Sequence, residues 1–184
     1  MKFTPQSIKD VVLIEPTAHG DDRGYFVETF RQDLFEEAIG YKVNFLQSNE
    51  SKSLKGVLRG LHYQLPPFTQ AKLVRVIEGS VMDVAVDIRK SSSTFGQHVS
   101  LELTAQNKHQ LFVPHGFAHG FVVLSDSATF AYKVDNYYAP EHDRGIAFDD
   151  EQLKIDWQLS AEVLQLSDKD RAHPSLAHAK DLFE

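Results

Sequence analysis

The chain has no cysteine. That excludes disulfides, thiolate nucleophiles and cysteine-ligated zinc together, and leaves packing and hydrogen bonding to hold the fold. Long apolar runs are missing as well. No stretch approaches the roughly 18 residues of a membrane helix, and the opening Met1-Lys2-Phe3-Thr4-Pro5 lacks the apolar core of a secretory signal. A cytoplasmic location is therefore expected. Positive charge is scarce: 19 Lys and Arg stand against 26 Asp and Glu, for a net charge of −7. No basic run exceeds two residues, so neither nucleic acid nor an acidic membrane has a footprint here. A local cluster of Arg and Lys inside a cleft can still take an anionic small ligand. Glycine-rich phosphate loops and the Gly-x-Ser-x-Gly elbow are absent. Nine histidines include no His-x-His pair, which a metal-binding jelly roll would place beside a carboxylate and a further His on neighbouring strands. No bound metal is expected.

What is present favours sheet. Thirteen Phe and six Tyr in 184 residues suit pleated, half-buried strands, and the length suits one domain spanning residues 1–184. Val11–Ile14 reads as a first strand. His19–Gly24 reads as a turn, with extended chain from Tyr25 to Phe30. Asp33–Ile39 predicts a short helix capped by Asp33 and ended by Gly40. Phe45–Glu50 is a further extended piece. From Gly56 onward the pattern is plainly β: Lys72–Ile77 and Val81–Ile88 flank Glu78-Gly79-Ser80, a hairpin signature. Val99, Leu101 and Leu103 repeat at period two, and Leu111–Val113 stops at Pro114. Phe117–Leu124 and Thr129–Val134 read as another pair joined by Ser125–Ala128. The tail from about residue 155 reads as short helical turns. Many short strands with helices only at the margins predict a mainly β fold, an antiparallel jelly-roll barrel or sandwich.

Strand parity says which side chains share a face. His119 falls with Phe117, Phe121 and Val123; Tyr132 falls with Phe130 and Val134; Lys72 falls with Val74 and Val76. Taken singly, each has an ordinary explanation: a satisfied core histidine, an anchored phenol, a lysine snorkelling at a strand end. Together they read as the lining of a barrel mouth with a few placed polar groups, the usual form of a small-molecule site. Arg59 and His62 lie three apart in Leu58-Arg59-Gly60-Leu61-His62, so an unbroken strand would send them to opposite faces. A bulge at Gly60 would reunite them. With nucleophilic catalysis poorly supported, acid–base chemistry remains: a His base, a Tyr acid and a Lys to hold developing negative charge.

With these residues assembled, the chain resembles the dTDP-4-dehydrorhamnose 3,5-epimerase family, cofactor-independent enzymes with a cupin-like jelly roll. The resemblance rests on Asp21-Asp22-Arg23-Gly24-Tyr25-Phe26-Val27-Glu28, Gln47-Ser48-Asn49, Val57–Gln64 and Lys72-Leu73-Val74-Arg75-Val76. It continues through Val113–Phe121, Tyr132-Lys133, Asp135–Glu141 and Ser167-Asp168-Lys169-Asp170. It implies His62 as the base, Asp170 as its partner, Lys72 beside the enolate oxygen and Tyr132 as the acid. It further implies Arg23 and Arg59 at the diphosphate. Glu28, Gln47 and Asn49 would meet the thymidine or sugar, Tyr138 would stack on the base, and His119, Asp143 and Lys169 would add substrate contacts. A dTDP-sugar substrate, no cofactor and a homodimer follow, with the N-terminal segment (about residues 1–50) reaching the partner's site and residues 155–184 forming a C-terminal extension. The product would serve dTDP-L-rhamnose synthesis for cell-surface polysaccharide. Two departures stand out: the family usually has Glu where this chain has Asp143, and commonly an aromatic at His19. An epimerase acting at C3 or C5 alone, a silent sugar-nucleotide binder and a metal-dependent isomerase are the alternatives.

Overall fold

In the computed structural model, which describes residues 1–184, the β-branched and aromatic segments form two antiparallel sheets packed face to face. One sheet has six strands, in the order β1 (Lys2–Pro5), β2 (Val12–Glu15), β10 (Gln110–Val113), β7 (Lys72–Glu78), β12 (Ser127–Val134) and β5 (Gln47–Leu54). The other has five, in the order β13 (Asp143–Gly145), β6 (Leu58–Gln64), β11 (Phe117–Val123), β8 (Ser80–Asp87) and β9 (His98–Thr104). A separate hairpin pairs β3 (Ala18–Asp21) with β4 (Gly24–Val27). Helix is confined to α1 (Gln32–Ile39), α2 (Asp168–Arg171) and single 3-10 turns at Pro140–His142 and Leu176–His178. The fold is the mainly β, jelly-roll arrangement that the sequence predicts, with short helices at its margins.

Period-two alternation explains the layers. Val81 and Ala85 of β8 enter the core between the sheets with Val74, Val76, Phe117, Phe121 and Phe130. Met82, Val84 and Val86 of the same strand, with Ile88 just beyond it, face outward, where Trp157, Leu153, Ile146 and Leu176 of the C-terminal part of the chain cover them. Each such large side chain contributes about 1.5–3 kcal/mol when fully buried. On the six-stranded sheet, Phe112, Leu73 and Val12 form a third cluster under Phe35 of α1.

Three expectations need correction. The segments around Gly79 are not a hairpin: β7 lies in the six-stranded sheet and β8 in the five-stranded one. Nor do the segments 117–124 and 129–134 pair, since β11 and β12 also belong to different sheets. Both connections are corners at which the chain changes sheets, and they brace each other. Leu124 donates to the Ser80 carbonyl (3.0 Å), and Ser80 donates to Ser125 Oγ (2.8 Å). Gly79 has φ 79°, and a Cβ there would lie 2.1 Å from the Ser127 carbonyl oxygen. A tight glycine turn serves a corner as well as a hairpin, so the local signal could not separate them. Finally, Asp33 does not cap α1. Arg31 takes the N-cap position with extended backbone and no side-chain cap bond, while Asp33 sits in the first turn and accepts from Arg31 Nε at 2.8 Å. Gly40 ends the helix in the left-handed region (φ 82°), as expected.

Candidate active site

The feature that shapes the site is a bulge in β6. His119 pairs with His62 and Phe121 with Arg59, so two steps along β11 match three along β6. The extra residue lies at Gly60-Leu61, where Gly60 has φ 139° and a Cβ would fall 2.5 Å from Gly120 Cα. Only glycine combines that backbone with so close a strand approach. The bulge turns Arg59 and His62 into one cavity, which they line together with Lys72, His119, Tyr132, Lys169 and Asp170. Its volume is about 290 Å³. Two other clefts, of about 470 Å³ and 320 Å³, contain none of His62, Asp170 or Lys72.

His62 Nε2 lies 2.5 Å from Asp170 Oδ1. Asp170 reaches it from α2, whose start is set by Ser167: that hydroxyl accepts from the Asp170 backbone N–H and donates to Asp170 Oδ2 at 2.8 Å. With both oxygens engaged, the carboxylate has one orientation. Burial opposes its ionisation, but hydrogen bonding from His62 and Ser167 and the nearby His173 ring more than offset this, holding it well below the ordinary carboxylate range. The His62 ring is pushed below its ordinary 6.5 by burial; Asp170 pulls it up and Lys72 pushes it down further. Donation from Nε2–H to Asp170 fixes the neutral tautomer, leaving the lone pair on Nδ1.

Lys72 stands at the start of β7, with Nζ 3.5 Å from the His62 carbonyl oxygen. Burial drives its ammonium down from 10.5 to about 8, against the opposing charges of Asp143 and Asp83. Tyr132, on β12, is half-buried; loss of solvent raises its phenol above the ordinary 10, while Asn49, its partner across β5, works the other way. β6 and β12 belong to opposed sheets. His62 and Tyr132 thus enter the cavity from facing walls.

The other predicted residues divide into two groups. His119 is buried and bonds both oxygens of Asp83 at 3.0 and 3.1 Å. Arg59 Nε donates to Ser53 Oγ at 3.2 Å. Lys169 pairs with Asp143, which also accepts from the Tyr138 hydroxyl at 3.1 Å. Gln47 donates to Asn49 Oδ1 at 2.8 Å and accepts from the Tyr138 N–H at 3.2 Å. His119, Arg59 and Lys169 line the cavity; Asp143 and Tyr138 join it through Lys169, and Asn49 lines the cleft of about 320 Å³ on the other side of Tyr132. Arg23 and Glu28 are not brought to the cavity. Arg23 stands at the tip of the β3–β4 hairpin, its side chain 87% exposed and paired with Asp21, and Glu28 is exposed just beyond β4.

Sequence reasoning missed Asp83 and His173 as site groups. Alternation misleads at Asp83: Met82, Val84 and Val86 make the opposite face look like the inner one, whereas the C-terminal segment covers that face and Asp83 points inward to His119. His173 had no signal; its position comes from the irregular tail. His62, Asp170 and His173 present ligand-type atoms within 4.8 Å of one another. Two ligands on one tetrahedral zinc ion would stand about 3.4 Å apart, given bonds of about 2.1 Å. The 2.5 Å between His62 Nε2 and Asp170 Oδ1 is a hydrogen-bond spacing instead.

The model of the dTDP-4-dehydrorhamnose 3,5-epimerase family matches residues 5–178. The chain belongs to that family. The epimerase of Shigella flexneri is 55% identical over 170 residues, covering 92% of this chain and 93% of its own. Among solved epimerase structures, the dTDP-6-deoxy-D-glucose-3,5-epimerase of Legionella pneumophila, in complex with dTDP-4-keto-L-rhamnose, superposes with TM-score 0.95 at 49% identity, over 100% of this chain and 97% of that one. A 3'-monoepimerase from Streptomyces bikiniensis, in complex with dTDP-quinovose, gives TM-score 0.89 at 34% identity over 96% and 88% of the two chains.

Proposed function

We propose that this epimerase inverts C3 and C5 of dTDP-4-dehydro-6-deoxy-D-glucose, giving dTDP-4-dehydro-L-rhamnose, by proton transfer through an enolate. The observation that carries the reading is a histidine–aspartate pair on one wall of the cavity, with a phenol and a part-buried lysine from adjacent strands on the other. The C4 ketone acidifies the hydrogens on C3 and C5. His62 takes one such proton at Nδ1, and the C–H electrons move into the ring bond and onto the C4 oxygen. Lys72 stabilises that oxyanion, and Asp170 stabilises the imidazolium. Tyr132 then returns a proton to the opposite face, which inverts the centre. A positioned acid and base are each worth about 10²–10⁴ in rate.

Arg59 suits the diphosphate, since its guanidinium fork matches phosphate oxygens. The exposed Tyr138 ring is available for stacking on thymine, with Gln47, Asn49, His119, Asp143 and Lys169 contacting the nucleotide or sugar. Arg23 and Glu28 act in this reading on the partner's substrate within a homodimer. Tyr25 and Phe26 beside them are 62% and 71% exposed, an apolar face that a second copy would cover. No helix is long and apolar enough to cross a membrane, and a cytoplasmic site of action goes with this reading.

The test is turnover of dTDP-4-dehydro-6-deoxy-D-glucose with a 4-keto reductase trapping the product. Formation of the L-sugar supports the reading. A product inverted at one centre only supports the second reading, a single-site epimerase, which the likeness to the Streptomyces enzyme favours and which needs the same base and acid.

A further inference from the structure

His173 is the buried titratable group that the mechanism leaves unused. Its side chain is 9% exposed, and its Nε2 has no hydrogen-bond partner although it is sealed from solvent. A buried ring nitrogen left unpaired costs free energy, so its place calls for an account. Nε2 points to Asp170 Oδ1 at 3.6 Å, the same oxygen that takes His62. The His173 ring meets the His62 ring edge to face, centroids 5.5 Å apart at 82°. Room for it exists only because residue 145, the β13 partner of His62, is glycine: a Cβ there would lie 2.4 Å from the ring.

We infer that His173 is a positioning residue, a second imidazole that shares the Asp170 carboxylate with His62 and so sets how strongly that carboxylate holds the base. It does not line the cavity and acts through Asp170. An Nε2–H of His173 turned to Oδ1 draws on the charge that would otherwise stabilise protonated His62, so the base stays free at lower pH. At 3.6 Å the contact is longer than a hydrogen bond, so it acts through the partial charge of the N–H. The other titratable groups around His62 are Arg59 from its own strand β6, Lys72 from β7, Asp143 from β13, Lys169 from α2, His119 from β11, and Tyr132 and Glu50 from β12 and β5 across the cavity. None of them contacts Asp170 Oδ1 from the His173 side. Burial and Lys72 already depress the His62 imidazole, the direction in which His173 works.

This inference rests on His62 being the base, and one experiment separates the two. The pH dependence of kcat/KM is measured for the wild type, His173→Phe, His173→Gln and Gly145→Ala. His173→Phe keeps the ring's bulk and removes the donor; the acid limb should move up by about half to one pH unit and kcat should fall about tenfold, with KM little changed. His173→Gln restores a donor and should recover most of both. Gly145→Ala displaces the ring by steric contact and should reproduce the limb shift even if His173→Phe does not fold. An unchanged limb in His173→Phe and Gly145→Ala overturns the inference, as does equal loss in His173→Phe and His173→Gln. In the same assay, turnover by His62→Asn that keeps the wild-type acid limb overturns the assignment of the base instead.

Discussion

Replacing Lys72 by Met should stabilise the folded chain while nearly abolishing turnover. The ammonium sits where burial takes its pKa from 10.5 to about 8. At about 1.36 kcal/mol per pH unit, holding that charge at pH 7 costs the fold about 3 kcal/mol. Met fills nearly the same space without charge. The lost contact to the His62 carbonyl and imperfect repacking reduce the gain, so an increase of about 1–3 kcal/mol is expected at pH 7. The sign follows from linkage. With its pKa lowered on folding, Lys72 leaves the unfolded chain binding more protons between pH 8 and 10.5, so wild-type stability rises with pH across that window. The advantage of Lys72→Met should therefore narrow by about 2 kcal/mol between pH 7 and pH 9.5. Urea unfolding of both proteins at the two pH values measures this, and groups common to both cancel in the difference. A variant less stable than wild type at pH 7, or a gap independent of pH, would refute the reasoning. The matching kinetic expectation is a loss of about 10²–10³ in kcat, the usual cost of removing one oxyanion partner.

Asp170→Asn should leave the fold intact and lower kcat by about 10²–10⁴, because an amide no longer selects the tautomer with the lone pair on Nδ1; steady-state kinetics with thermal melts as control check it. The wild-type pH–rate profile should be a bell. Its acid limb lies below 6.5, where His62 is protonated, and its alkaline limb lies near 8, where Lys72 loses its charge; Lys72→Arg should move the alkaline limb upward. Gly60→Ala should destabilise by about 2–5 kcal/mol, combining an unfavourable backbone region with a Cβ 2.5 Å from Gly120 Cα, and denaturant melts would read it. Arg59→Lys should raise KM about tenfold with kcat little changed, since a point charge replaces a fork.

Much of this site was legible before any coordinates. Parity alone set Lys72, His119 and Tyr132 on inward faces, and the three-residue spacing of Arg59 and His62 required the bulge that Gly60 provides. Corners were not legible. Glu78-Gly79-Ser80 reads as a hairpin because a left-handed glycine closes a tight turn in either setting; which sheet receives the next strand is decided by distant pairing, here β8 with β9 and β11. Asp170 was reached only through resemblance, since a carboxylate 108 residues from His62 carries no periodic signal. His173 was missed for the same reason: its meaning depends on Gly145 and Asp170, and neither neighbour can be read from local sequence.

The central claim is that His62 and Tyr132 exchange protons at two carbons next to the C4 ketone. The most direct measurement is solvent deuterium incorporation into dTDP-4-dehydro-6-deoxy-D-glucose, read by NMR at C3 and C5 separately, for the wild type and for His62→Asn. The account predicts label at both carbons with the wild type and at neither with the variant. Label at one carbon only, or continued exchange without His62, would contradict it.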